Sequence, residues 1–211
     1  MPQKILLKPV KIIEGGKIME NLLYDYNVEE PPRYEIIEGV KTFMAASSIV
    51  EHGTVVGNLM LVFGNYLWQN QCGRFFTDID VHLPDSNIFR PDFFIVRDLS
   101  IIKLHGTIYG VPDLVVEILS RSTMKNDISI KKYIYERNGV KEYWIVNHWI
   151  KAIEVYHLVE GKYELDNVYQ IYSPNEWENL EDEERAEAKF DIKVSIFDDL
   201  IVDINKVFMW L

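Results

Sequence analysis

Four ionisable residues, Glu117, Asp127, Lys131 and Asp92, lie within or at the start of apolar patterns in this chain, and their placement says what chemistry they could do. Residues 113–119 read DLVVEIL after Pro112, a short apolar run. Extended, the run turns Leu114, Val116 and Ile118 to one side and Asp113, Val115, Glu117 and Leu119 to the other. Glu117 thus lies between Val115 and Leu119 on a strand face that should be covered. An uncompensated buried carboxylate is costly enough to be neutralised, so Glu117 requires a metal ion, a cationic side chain or a proton. The following segment offers the cation. On a helical wheel of about 100° per residue, Lys125, Ser129, Lys132 and Glu136 share a polar side. Met124, Ile128, Ile130, Ile134 and Tyr135 take the opposite arc, and Asp127 and Lys131 fall inside it, spaced as neighbours on one face. A lysine within a core-facing stripe needs an anion, and Glu117 on the preceding strand is a natural one. Asp92 opens the run DFFIV after Arg90-Pro91, which places it at a strand start near the edge or mouth of a sheet.

Each residue also has a plainer account. Asp92 after a proline could cap a turn. Asp127 and Lys131 could form a structural helix ion pair. Asp113 after Pro112 suits the stabilisation of a strand start. His52 lies on an apolar helix face, where a hydrogen-bonded core histidine is the default and a site role the alternative. The joint pattern argues for a site more strongly than any member of it does.

The elements that must position these residues follow from turn and periodicity signals. Pro31-Pro32 punctuates the chain, leaving 1–32 as an N-terminal extension and 33–211 as a single domain. RYEII and VKTFM flank Glu38-Gly39 and read as a β-hairpin. Residues 47–70 read as a helix capped by Ser47 or Ser48. Its apolar face carries His52, Val55, Val56, Leu59, Val62, Phe63, Tyr66 and Leu67. Strands are expected over 74–83, 92–96 and 113–119. A helix follows over about 123–138, capped by Ser122 or Thr123 and stopped at Asn138-Gly139. Strands at 142–147, 153–158 and 163–172 come next, and the tail mixes a short extended piece with a final amphipathic helix. The central order is helix, strand, strand, strand, helix, strand, a mixed α/β (α+β) layer with extra antiparallel strands towards the C-terminus.

Composition narrows the class. The chain has 211 residues, 48 % of them hydrophobic, which excludes a disordered protein. No apolar run approaches the roughly 18 residues that span a bilayer, no signal peptide is evident, and one cysteine, Cys72, forms no internal disulfide. The expected compartment is the cytoplasm. A net charge of −11 argues against a non-specific nucleic-acid coat, though not against an enzyme whose carboxylates hold a phosphate-attracting cation. Much of the acid sits between Glu176 and Glu187, read as a solvated loop or short helix. There is no Cys/His pattern for zinc, no Gly-rich phosphate loop and no nucleophile elbow.

The segments RPDFFIV, PDLVVEILSRST, Asp127 with Lys131, and GVKEYWIVN resemble the Uma-type restriction endonuclease family of the PD-(D/E)xK nuclease superfamily. The hairpin RYEIIEGV and His52 share in the resemblance, which runs from about Arg33 to the C-terminus. It implies a restriction-endonuclease-like core in the order already read. It implies that Asp92 and Glu117 are the catalytic acids and ligands of Mg²⁺ (or Mn²⁺), with the Ile118 carbonyl as a further ligand. The superfamily motif places a lysine where this chain has Leu119. Resemblance to members with a migrated lysine assigns that role to Lys131, which would orient the attacking water or stabilise transition-state charge. Glu38 and Asp80 are second-line candidates for a further metal or an outer shell, alongside His52 and Asp127. Ser120, Ser122 and Thr123 could meet phosphate at a helix start, with capping the plainer role. The substrate implied is DNA and a homodimer is expected. The alternatives are a nuclease fold that has lost catalysis and serves as a nucleic-acid-binding or protein-interaction module, and a hydrolase of another phosphate ester.

Overall fold

A computed structural model describes residues 9–14, 17–22, 33–43, 49–103, 107–120, 124 and 126–211, with the backbone alone at 9–22 and at 126. The chain divides into two compact units, Met1–Pro32 and Arg33–Leu211. In the first, Pro9–Glu14 pairs antiparallel with Lys17–Leu22.

The second unit begins with β1 (Tyr34–Ile37) and β2 (Val40–Phe43), an antiparallel hairpin. Its two-residue turn has positive φ at Glu38 (51°) and Gly39 (77°), the twist that matches the strands' own. Next come α1 (Val50–Asn70), β3 (Arg74–Phe76), β4 (Phe93–Val96) and β5 (Leu114–Ile118). They are followed by α2 (Lys132–Asn138), β6 (Glu142–Asn147), β7 (Ala152–Val159) and β8 (Lys162–Gln170). The main sheet has the order β8-β7-β6-β5-β4-β3. Its β5–β6 pair is parallel, as a helical crossover requires, and the other pairs are antiparallel. A second sheet joins β2 and β1 to the short strands Ile88–Phe89, Val81–His82, Thr107–Tyr109 and Ile102–Lys103.

Strand alternation divides the core in two. Leu114, Val116 and Ile118 pack with Phe93, Ile95, Trp144 and the buried α1 residues Val55, Leu59, Phe63 and Leu67. Their neighbours Val115 and Leu119 pack with Phe94, Val96, Ile134, Tyr135, Tyr143 and Ile145. α1 lies close on β3: a Cβ at Gly64 would come within 3.2 Å of the Phe75 ring, which accounts for a glycine inside the helix. The hairpin Asp191–Lys193/Ile201–Asp203 and the one-turn helix Ile204–Val207 seal the first core from the far side. Buried Asn58 of α1 donates to the carbonyls of Val207 (3.0 Å) and Met209 (2.8 Å). Buried Glu142 accepts from Trp144 Nε1 (2.7 Å) and from the backbone N and Oγ of Ser195, both at 2.6 Å.

The restriction-endonuclease-like order of helix, three strands, helix and strand is present, with β7 and β8 added beyond it. Several boundaries differ from the sequence reading. The run 74–83 is broken: Arg74–Phe76 belongs to the main sheet and Val81–His82 to the second. Asp78 at φ 54° and its N–H bond to the Pro91 carbonyl turn the chain between them. The tail forms a hairpin and a single helical turn in place of an amphipathic helix. The second helix starts as a π-helix, Asn126–Lys131. Its i→i+5 closure rotates residues relative to an α-helical wheel, so Ile128 and Ile130, expected in the core, are exposed. The acidic stretch forms two short exposed helices, Pro174–Asn179 and Asp182–Glu187. The expected caps Ser47, Ser48, Ser122 and Thr123 lie outside the described residues. Among the described residues no helix is long and apolar enough to cross a membrane.

Candidate functional site

β5 delivers Glu117 to the second core face, and the π-turn delivers Lys131 against it. Lys131 is 2 % exposed. Its Nζ lies 2.9 Å from Glu35 Oε1, 3.2 Å from Asp127 Oδ1 and 3.3 Å from Glu117 Oε1. Glu35, Glu117 and Asp127 are all buried. The Tyr135 hydroxyl donates to Glu117 Oε1 at 3.0 Å, and the Tyr143 hydroxyl donates to the Asp127 carbonyl at 2.9 Å. Burial works against the Lys131 charge, but Glu117, Asp127 and Glu35 together raise its pKa well above the ordinary value. Lys131 is therefore a fixed cation and not a proton acceptor. Burial raises the Glu117 pKa well above the usual carboxylate range. Lys131 opposes that rise, while Asp127, Asp92 and Glu35 add to it.

Asp92 precedes β4. Continuing the β4–β5 register one step past Phe93↔Val116 sets it across from Glu117. Its Oδ2 accepts from the Ile118 N–H at 2.8 Å, and its Oδ1 lies 3.0 Å from His52 Nε2. Burial lowers the His52 pKa, but the hydrogen bond and charge of Asp92, with lesser help from Asp127 and Asp78, outweigh it and the net shift is upward. The pair's contribution to stability is fully present below the ordinary imidazole value of 6.5 and is lost as pH rises through the elevated folded-state value. In an NMR titration the His52 midpoint is expected above 6.5 in the native protein and lower in Asp92→Asn; an unchanged midpoint in the variant would contradict the pairing.

Asp92, Glu117, Lys131, Asp127, His52 and Ile118 thus gather at one end of the main sheet. Glu38 and Asp80 stand apart from them. Glu38 is exposed and pairs with Arg137 at 2.6 Å, and Asp80 pairs with Arg90 at 2.8 Å. Asp113 accepts from the Arg97 N–H and pairs with Lys141. Leu119, at the motif's lysine position, is buried in the second core. Three participants escaped sequence reasoning. For Glu35 a signal was available: alternation in YEII puts it on one face with Ile37, and both are buried. Tyr135 was read only as a core aromatic. Tyr143 falls in the expected strand 142–147, where nothing in the sequence marks its hydroxyl for a role.

Helix, three strands, helix and strand around buried acids and a lysine define the fold of a restriction-endonuclease-like nuclease. The Uma2 family, described as putative restriction endonuclease, matches residues 20–192, and the chain belongs to that family. Among solved structures, a putative nuclease belonging to DUF820 from Anabaena variabilis superposes with a TM-score of 0.59 at 16 % identity, covering 89 % of this chain and 96 % of that one. No protein of curated function matches the sequence.

Proposed function

We propose that this chain is a divalent-metal-dependent endonuclease that hydrolyses phosphodiester bonds in DNA. The observation that carries the reading is the charge imbalance at the sheet end. Four carboxylates, Glu35, Asp92, Glu117 and Asp127, face one ammonium and one imidazole, and burial raises the Glu117 pKa. Such an excess fits a hard cation with oxygen donors, Mg²⁺ or Mn²⁺. Among the described residues no three of His, Cys, Asp or Glu are grouped to hold an ion. The donor set proposed is therefore Asp92, Glu117, the Ile118 carbonyl and water. When bound, the ion would polarise the phosphate and lower the pKa of the attacking water. The chain's own residues do the rest. The His52 contact and the Ile118 N–H fix the Asp92 carboxylate, Tyr135 and Lys131 fix Glu117, and Lys131 supplies permanent positive charge beside the developing phosphorane.

Purified protein is expected to nick or cut duplex or single-stranded DNA with Mg²⁺ or Mn²⁺, and to lose all cutting in chelator. Metal-independent cleavage that co-purifies with the protein, or none under any divalent ion, would defeat the reading. One observation favours a second one. The Lys131 ammonium is already met by three carboxylates, which suits a fold that binds nucleic acid without cutting it. Calorimetry separates the two: Glu117-dependent Mn²⁺ binding belongs to the first reading alone.

A further inference from the structure

The turn between β6 and β7 holds a group that the nuclease reading does not use. His148 is 6 % exposed, yet among the described residues neither Nδ1 nor Nε2 has a hydrogen-bond partner. Its ring packs on Trp149, with centroids 4.3 Å apart. An imidazole buried with both nitrogens unpaired lowers stability, and such groups in native proteins call for a specific reason.

The turn's place in the fold supplies one. Asn147 ends β6 and pairs with Ala152. Val146, just before it, lies beside Ile118. The turn therefore stands at the sheet end where Asp92 leads into β4, β5 finishes after Glu117, and α1 begins with Glu51 and His52. Burial and the nearby His52 lower the His148 pKa, with Glu51 acting weakly in the other direction. The ring is then neutral at pH 7 and offers one donor and one acceptor. Trp149 beside it is 43 % exposed, so an indole face is available to solvent.

We propose that His148 and Trp149 form a subsite for an unpaired nucleobase of the substrate strand, with the base stacked on the indole and its edge hydrogen-bonded by the imidazole. The proposal rests on the nuclease reading and deepens it by naming the part of the substrate this turn contacts. A base fits better than a phosphate. A neutral imidazole offers a donor and an acceptor, a base edge answers with both, and a phosphate oxygen only accepts. The acidic Glu51 nearby also disfavours a phosphate that arrives without a cation. Stacking on an aromatic ring is the usual means by which proteins hold single strands. The indole, packed on the imidazole and 43 % exposed, becomes the platform as the base enters.

The test is fluorescence anisotropy with a short labelled single-stranded DNA of mixed sequence, with Ca²⁺ replacing Mg²⁺ so that binding is read without cleavage. Trp149→Ala is expected to weaken binding by about tenfold or more, and Trp149→Phe to retain most of the affinity. His148→Leu is expected to weaken binding severalfold while its Tm stays level or rises, because the substitution removes an unpaired buried polar group. A merely structural histidine would show the opposite, a fallen Tm with unchanged affinity, and that result would overturn the proposal. So would equal affinity of the native protein and Trp149→Ala, or an equal loss for a blunt duplex of the same sequence. The outcome is separable from the nuclease reading: a protein that cuts in a Glu117-dependent way but binds single strands independently of Trp149 refutes this subsite alone.

Discussion

Replacing Lys131 by methionine is expected to destabilise the fold by about 3–5 kcal/mol near neutral pH, the range for removing one partner of a buried ionic cluster. Methionine fills a similar volume, so the loss reports charge and not a cavity. It leaves Glu35, Glu117 and Asp127 buried around a missing ammonium. Deprived of the cation that opposes the rise, the Glu117 pKa climbs further above its ordinary value of 4.5. The folded variant then binds more protons than the unfolded chain above that pH, so its stability falls as pH rises and the deficit shrinks as pH drops towards 4.5. Urea denaturation at several pH values reads both effects. A deficit under about 1 kcal/mol that does not vary with pH would mean that the cluster is not held together by Lys131.

Glu117→Gln is expected to separate stability from activity. Burial already pushes Glu117 towards its protonated form, and glutamine has nearly the same shape without charge. The amide oxygen can still accept from Tyr135 and Lys131, which now meet Glu117 Oε1 at 3.0 and 3.3 Å. Stability should change by no more than about 1 kcal/mol. Metal-dependent DNA cleavage, in contrast, should fall by at least about a hundredfold, as when one preorganised transition-state contact is lost. Normal cutting by a folded Glu117→Gln protein would remove Glu117 from the chemistry. The converse pairing, lost stability with retained activity, would make the residue structural.

The parts of this site that sequence reading reached are those where one charged residue breaks a regular pattern. In DLVVEIL the alternation is strict enough that Glu117 stands out, and the same alternation sorts Val116 and Val115 into the two cores. Lys131 stands out on a wheel because its neighbours Ile134 and Tyr135 are core residues. Where the backbone departs from a regular period, spacing no longer tells which side chains are buried. The π-helical closure at 126–131 kept Asp127 and Lys131 inside but moved Ile128 and Ile130 to solvent. Glu35 sits in a four-residue strand, where alternation pairs it with buried Ile37 but marks nothing beyond that single neighbour. His148 follows a strand in a turn, where no periodicity exists to mark it as buried. The break between 76 and 81 depends on Asp78 meeting Pro91, a contact between distant residues that local propensity does not encode.

The bonds from Asn58 to the Val207 and Met209 carbonyls have a consequence for the order of events during synthesis. On the ribosome, α1 cannot bury its apolar stripe fully until residues 192–209 have emerged, because Ile192, Val194, Val202, Ile204 and Val207 cover the same core. A nascent chain arrested before that point carries an unsealed helix, and closure waits for these residues however early the helix itself forms.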